Sequence, residues 1–201
     1  GAANGEAVPP GARCVSTCLP SEAVVPAVYL GPDGLLSKSG SIEVTCDFST
    51  ISPELAVELA EAAGRAGIRH VEAPMIGGVP EATNGTLFLA AATDGAQSVD
   101  DLPAPLPALL PALSRKTMVV GAPGTASRMK VVQNGLGLVQ LVGIAEALAT
   151  CRRIGIDPRI FADFVIEAKG MAGRVLFAEI APKMLDAPAP EKREPPKVSF
   201  A

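Results

Sequence analysis

A lysine and an asparagine four residues apart carry the first chemical signal in this chain. They lie in Gly121-Ala-Pro-Gly124-Thr-Ala-Ser-Arg-Met-Lys130-Val-Val-Gln-Asn134-Gly135, where a glycine-punctuated turn leads into a long apolar run. Residues i and i+4 share a helix face, so Lys130 and Asn134 can address one small molecule. A partly desolvated lysine can lose its proton near neutral pH and serve as an acid or base. The same pair also reads as a surface lysine beside a capping asparagine. Other chemistries are thin. His70 is the single histidine, which removes Ser-His-Asp, Cys-His and most His-rich metal sites, and no metal is expected. His70 itself reads as a structural strand residue just before Val71.

Several elements must position the lysine. Arg13 to Cys18 reads as a strand ending at Leu19-Pro20, and Ser21 as the N-cap of a helix through Leu30. Ser41 to Cys46 is a second strand. Ser52-Pro53-Glu54 opens a helix with proline at its first position, an apolar stripe of Leu55, Leu59, Ala62 and Ala66, and Gly67 as its end. Strands are expected over 68–72, 86–92 and 116–120, with a proline-dense helix from Leu106 to Leu113. Strand–helix alternation implies right-handed parallel crossovers. One long helix is expected from Thr125 to about Ile154, another from Asp157-Pro158 and a third from Arg174 to Leu185, before a Pro-rich, charged tail.

Composition narrows the function classes. With 201 residues and 48% hydrophobic content the chain can bury a core in one or two domains. A net charge of −4 offers no basic stripe for phosphates and argues against nucleic acid. Cys14, Cys18, Cys46 and Cys151 form no Cys-x-x-Cys and read as buried free thiols of an intracellular, reducing compartment, cytoplasm or organelle matrix. Val131 to Ala149 is apolar, but Gln133, Asn134, Gln140 and Glu146 interrupt it, so a buried helix is expected rather than a membrane span.

Four motifs, in order, resemble the β-hydroxyacid dehydrogenases of the 3-hydroxyisobutyrate dehydrogenase kind. Cys18-Leu19-Pro20 is similar to their Met-Leu-Pro, and Asp47-Phe48-Ser49-Thr50-Ile51-Ser52-Pro53 to Asp-Ser-Ser-Thr-Ile-Ser-Pro. Glu72-Ala73-Pro74-Met75-Ile76-Gly77-Gly78-Val79 is similar to Asp-Ala-Pro-Val-Ser-Gly-Gly-Val, and the fourth motif is the run through Lys130 and Asn134. The resemblance covers about Arg13 to Leu185. It implies an α/β fold: an incomplete Rossmann-type parallel sheet over 13–121, part of an all-α dehydrogenase domain over 122–186, and a disordered tail over 187–201. It implies NAD or NADP as cofactor, lined by Leu19, Pro20 and Thr50. A small hydroxyacid substrate would meet Gly77, Gly78 and Asn134, with Lys130 moving the hydroxyl proton and hydride passing to or from nicotinamide. A homo-oligomer through the helical domain is implied as well.

This chain departs from the pattern in several places. No Gly-x-Gly-x-x-Gly occurs, although that turn seats the dinucleotide pyrophosphate in such folds. The chain therefore reads as a family member without its first three strands, and one that stops early, with Pro196 to Ala201 breaking off where relatives continue into further helices. Ile76 replaces a serine of the substrate loop; losing a hydrogen bond to a charged group costs about 1.5–3 kcal/mol, which points to a bulkier or less polar substrate. 6-Phosphogluconate dehydrogenase shares Lys-x-x-x-Asn-Gly but has an acid where Gly137 stands, which favours a short hydroxyacid over a sugar acid phosphate. A second reading is a non-catalytic binding or assembly module derived from the same fold.

Overall fold

The structure, a computed structural model, describes residues 8–9, 11–37, 41–168 and 185–186. The helix expected over 174–185 and the tail expected over 187–201 lie outside them, apart from residue 185. The chain divides into two compact units, the first ending at Val131 and the second beginning at Val132.

In the first unit, β1 (Cys14–Thr17), β2 (Val44–Asp47) and β3 (Arg69–Glu72) run parallel, with Cys14 opposite Val44 and Val44 opposite Arg69. Their side chains alternate between two cores, as strand geometry requires. Val44, Cys46 and Val71 face a cluster completed by Leu106 and Leu110 of α4 (Leu106–Leu113). The opposite face meets α1 (Val25–Leu30) and α2 (Pro53–Arg65), where Tyr29, Leu55, Ala56, Leu59 and Ala63 are buried. Ser52 caps α2 through its hydroxyl, which accepts from the Leu55 N–H at 3.3 Å. Ser21 does not cap in this way; a 3-10 turn over Glu22–Val24 precedes α1, which carries Pro26 in its first turn. The Glu22 carboxylate instead accepts from the Ser52 hydroxyl at 2.6 Å and the Ser52 N–H at 3.0 Å.

The remaining sheet is not wholly parallel. β4 (Met75–Ile76) continues directly from β3, and β5 (Leu87–Ala92) runs antiparallel to both, with Glu72 opposite Ala92 and Met75 opposite Leu89. Only residues 77–86, including the short α3 (Val79–Thr83), connect them. A parallel crossover needs a dozen or more residues, so a reversal is the available solution. β6 (Ser114–Gly121) then lies parallel to β5. Its end, Gly121, therefore sits beside Ala92 and level with Glu72, where the next helix begins.

That helix, α5 (Thr125–Arg153), starts against small side chains: Ala126 packs on Ala90 and Ala92. Gly124 before it has φ +84°, and a Cβ there would lie 2.9 Å from Val57 Cγ2, so only glycine fits. In the second unit, Ile144 and Leu148 of α5 pack on Ala162 of α6 (Pro158–Glu167), which Asp157 caps by accepting from the Arg159 N–H at 2.8 Å. The expectation of a buried α5 is not met among the described residues. Val132 is 72% and Val139 70% exposed, and Leu136 and Val142 are exposed as well. A helix apolar all round needs cover on several sides, and α6 meets only the face of Ile144 and Leu148. By length and composition alone, α5 is long and apolar enough to cross a membrane.

Candidate active site

The parallel strands β1, β2 and β3 deliver their carboxyl ends to one edge of the sheet, where ligands of open α/β folds bind. At β1 and β2 the edge is built around Asp47, which is buried. Its Oδ1 accepts from the Thr17 hydroxyl at 2.8 Å, the Ser49 hydroxyl at 2.6 Å and the Ser49 N–H at 3.1 Å. A hydroxyl has one proton to give. Because Thr17 donates to Asp47, Tyr29, 2.6 Å from the Thr17 oxygen, is the donor in that contact. Burial and the Asp47 charge hold the Tyr29 phenol well above its ordinary range, which keeps that proton in place. The Ser49 oxygen accepts in turn from the Leu19 N–H at 2.9 Å. One carboxylate thus ties the turn after β1 to the turn after β2, setting Leu19-Pro20 beside Ser49-Thr50. Leu19 is half-buried, while Pro20 and Thr50 are exposed, and the Thr50 hydroxyl has no partner among the described residues.

At β3 the edge holds Lys130. Its Nζ donates to the Met75 carbonyl at 2.7 Å, which leaves two ammonium N–H groups for a ligand. The side chain is half-buried, and that desolvation lowers its pKa from the ordinary lysine value. Two residues beyond Met75, Gly77 has φ +141°, and a Cβ there would come 3.0 Å from both Glu81 Cβ and Leu87 Cδ2, so the turn requires glycine. The Gly78 N–H donates to Glu81 Oε2 at 2.7 Å, and that bond holds the Glu81 carboxyl below its usual range. A carboxylate thus already occupies one of the two amides that the resemblance assigns to a substrate carboxylate.

In the first unit Lys130 meets Met75, two residues before Gly77-Gly78, and Leu19 meets Ser49, one residue before Thr50. Asn134 lies one turn along α5 from Lys130, in the second unit, and is exposed. His70 is a core residue: Nδ1 is 2.9 Å from the Thr45 hydroxyl, the ring meets Tyr29 edge-on, and burial lowers its pKa to about 4. All four cysteines are free, but only Cys46 and Cys151 are buried; Cys18 is exposed at the edge and Cys14 half-buried. No cluster of His, Cys, Asp and Glu able to hold a metal occurs among the described residues. Asp47 and Glu72 escaped the sequence reading as site residues. Each is an acid closing an apolar strand, and that placement was the available signal.

Residues 1–108 match the family described as the NAD binding domain of 6-phosphogluconate dehydrogenase. The chain is 32% identical over 160 residues to 3-hydroxyisobutyrate dehydrogenase of Pseudomonas aeruginosa, covering 80% of this chain and 52% of that one. Among solved structures, Mycobacterium tuberculosis 3-hydroxyisobutyrate dehydrogenase with L-serine superposes with a TM-score of 0.67 at 26% identity, over 89% of this chain and 57% of that one. A second structure, in complex with NADP+, gives a TM-score of 0.71 at 25% identity over 87% and 59%. The chain spans about half the length of the curated relatives it matches.

Proposed function

The chain belongs to the family of the NAD binding domain of 6-phosphogluconate dehydrogenase, and from that premise we propose that it serves an NAD(P)-dependent oxidoreductase. The reaction is oxidation of a small 3-hydroxy acid of the 3-hydroxyisobutyrate kind, or reduction of the corresponding semialdehyde. The observation that carries the reading is the desolvated Lys130 ammonium, bonded to the Met75 carbonyl two residues before Gly77-Gly78. A bound nicotinamide supplies hydride acceptance or donation at the carbon bearing the substrate oxygen. In the oxidative direction the neutral Lys130 amine takes the hydroxyl proton, so rate rises with pH through the lysine's depressed pKa. In the reductive direction its ammonium gives that proton back.

The residues at the sheet edge fit one flank of a dinucleotide: an apolar Leu19-Pro20 ledge and the free hydroxyl of Thr50. The Gly-x-Gly-x-x-Gly turn, which seats a pyrophosphate on backbone N–H groups in such folds, does not occur in this sequence. Gly77 and Gly78 are the proposed carboxylate donors and Asn134 a proposed substrate contact. Assembly as a homo-oligomer would draw on the apolar residues that α5 exposes between Val132 and Val142.

The test is NAD(P)-coupled oxidation of 3-hydroxyisobutyrate followed across pH, with Lys130→Met beside the parent chain. Turnover in the parent that Lys130→Met loses supports the reading; equal turnover in both removes Lys130 from the reaction. A second reading is a binding or assembly module derived from the same fold. Ligand or partner binding that persists with no turnover under any condition would support that one.

A further inference from the structure

Glu72 is the last residue of β3, is 2% exposed, and takes no part in the proton transfer described above. A buried carboxylate without a cation is costly unless its oxygens are hydrogen-bonded. Both are: Oε1 accepts from the Ala126 N–H at 3.0 Å and Oε2 from the Ser127 hydroxyl at 2.7 Å. Desolvation pushes the Glu72 carboxyl up, and the Ser127 hydroxyl with the Ala126, Gly124 and Ser127 N–H groups pulls against it. These donors belong to the first turn of α5, whose N–H groups have no helical partner and whose dipole favours an anion.

Capping is half of what the geometry does. Three residues further along both segments lies a second link, from Lys130 to the Met75 carbonyl at 2.7 Å. Residue 72 meets 126 and 127, and residue 75 meets 130, so the links run as two rungs between the strand end and the helix. In the same turn Ala126 packs on Ala90 and Ala92, and a Cβ at Gly124 would lie 2.9 Å from Val57 Cγ2 and 3.2 Å from the Pro53 carbonyl oxygen. These contacts limit how close the helix comes, and the carboxylate fixes its rotation and register.

We propose that Glu72 is a positioning residue for Lys130: by clasping the first turn of α5 it holds the lysine ammonium against the Met75 carbonyl and away from water. Its functional meaning rests on the reading of Lys130 as the proton-transferring group. The clasp itself can be tested without turnover.

Two roles for Glu72 predict opposite signs. If it acted on Lys130 as a charge, neutralising it would lower the lysine pKa; if it holds the lysine in a dry position, loosening the clasp rehydrates the amine and raises it. Desolvation is the cause that depresses Lys130 in this structure. The experiment is NMR titration of the full chain labelled with 13C-lysine, the Lys130 signal assigned by Lys130→Arg, for the parent, Glu72→Ala, Glu72→Gln and Ser127→Ala. The expected result is a rise in the Lys130 midpoint of about one pH unit in Glu72→Ala, the scale of a partial release from burial. Smaller rises are expected in Glu72→Gln and Ser127→Ala. A midpoint that falls or stays fixed in variants that melt as cooperatively as the parent overturns the proposal. Should Glu72→Ala fail to fold, Ser127→Ala decides, since it keeps the carboxylate and removes one of its bonds. A chain with no turnover would count against the proposed reaction and leave these midpoints readable.

Discussion

Acid should act on this fold through His70, and the size of the effect can be worked out. In the folded chain the ring is buried between β2 and α1, Nδ1 bonded to Thr45 and Nε2 without a partner among the described residues, and burial lowers its pKa to about 4. In the unfolded chain it returns to an ordinary value of about 6.5. The folded pKa is the lower one, so the unfolded state takes up the proton first. The stability linked to a neutral His70 is present above pH 6.5, is lost as pH falls through 4, and levels off about one pH unit below that. At about 1.4 kcal/mol per pH unit the loss is about 2 kcal/mol by pH 5 and about 3 kcal/mol by pH 4. Urea unfolding of the parent and of His70→Gln, between pH 7.5 and 4, isolates this contribution, because both chains keep every carboxylate. The parent should lose about 3 kcal/mol more than the variant over that range. Parallel stability curves would refute the reasoning, since they would mean the folded state accommodates a charged imidazole.

Other outcomes follow from the same geometry. Lys130→Met should cut turnover about 10²–10⁴-fold, the usual share of a general acid or base, while a fluorescence titration finds dinucleotide affinity unchanged. The chain by itself should bind NAD(P) weakly, and low-micromolar affinity by calorimetry would mean that other backbone donors hold the pyrophosphate. Glu81→Ala, by freeing the Gly78 N–H, should tighten binding of a small hydroxyacid several-fold by calorimetry; looser binding would mean that the amide's capping role dominates. Among the described residues β1 pairs with β2 alone, and an open edge invites pairing with another chain. Light scattering should therefore detect self-association, with residues 13–18 exchanging amide hydrogens faster than 68–72; a monodisperse monomer with protected 13–18 would show the edge to be covered.

What could be read from the sequence follows how local the physics is. The Ser52-Pro53 start of α2, the Gly67 stop and the span of α4 are decided by caps, φ preferences and apolar period within one element, and the structure has them where expected. The reversal of β5 was not legible, because strand direction depends on whether residues 77–86 can complete a crossover, and apolar runs look alike in either direction. Exposure of α5 was hidden for a related reason. An apolar helix states that it needs cover, and its sequence does not name the surface that supplies it.

The candidate site divides along the same line. Lys130 could be named from its place on an apolar helix, four residues before Asn134, and the Gly77-Gly78 turn from its resemblance to a family motif. Asp47 and Glu72 look in sequence like acids closing two strands. Their parts come from partners far along the chain, Thr17 thirty residues before Asp47 and Ser127 fifty-five after Glu72. The groups proposed to do chemistry were therefore visible before the groups that hold them. A buried carboxylate must find donors; Asp47 finds them in Thr17, at the end of the strand that leads to Leu19, and in Ser49, which accepts from the Leu19 N–H, while Glu72 finds them in the first turn of the helix that carries Lys130. Each acid fixes the loop or helix on which a proposed ligand contact stands. Substitutions at Asp47 and Glu72 should therefore move cofactor and substrate terms separately: Asp47→Asn should alter the Michaelis constant for the dinucleotide, and Glu72→Gln the pH dependence of the proton step. Variants that changed both parameters together would show the two edges to be one mechanical unit.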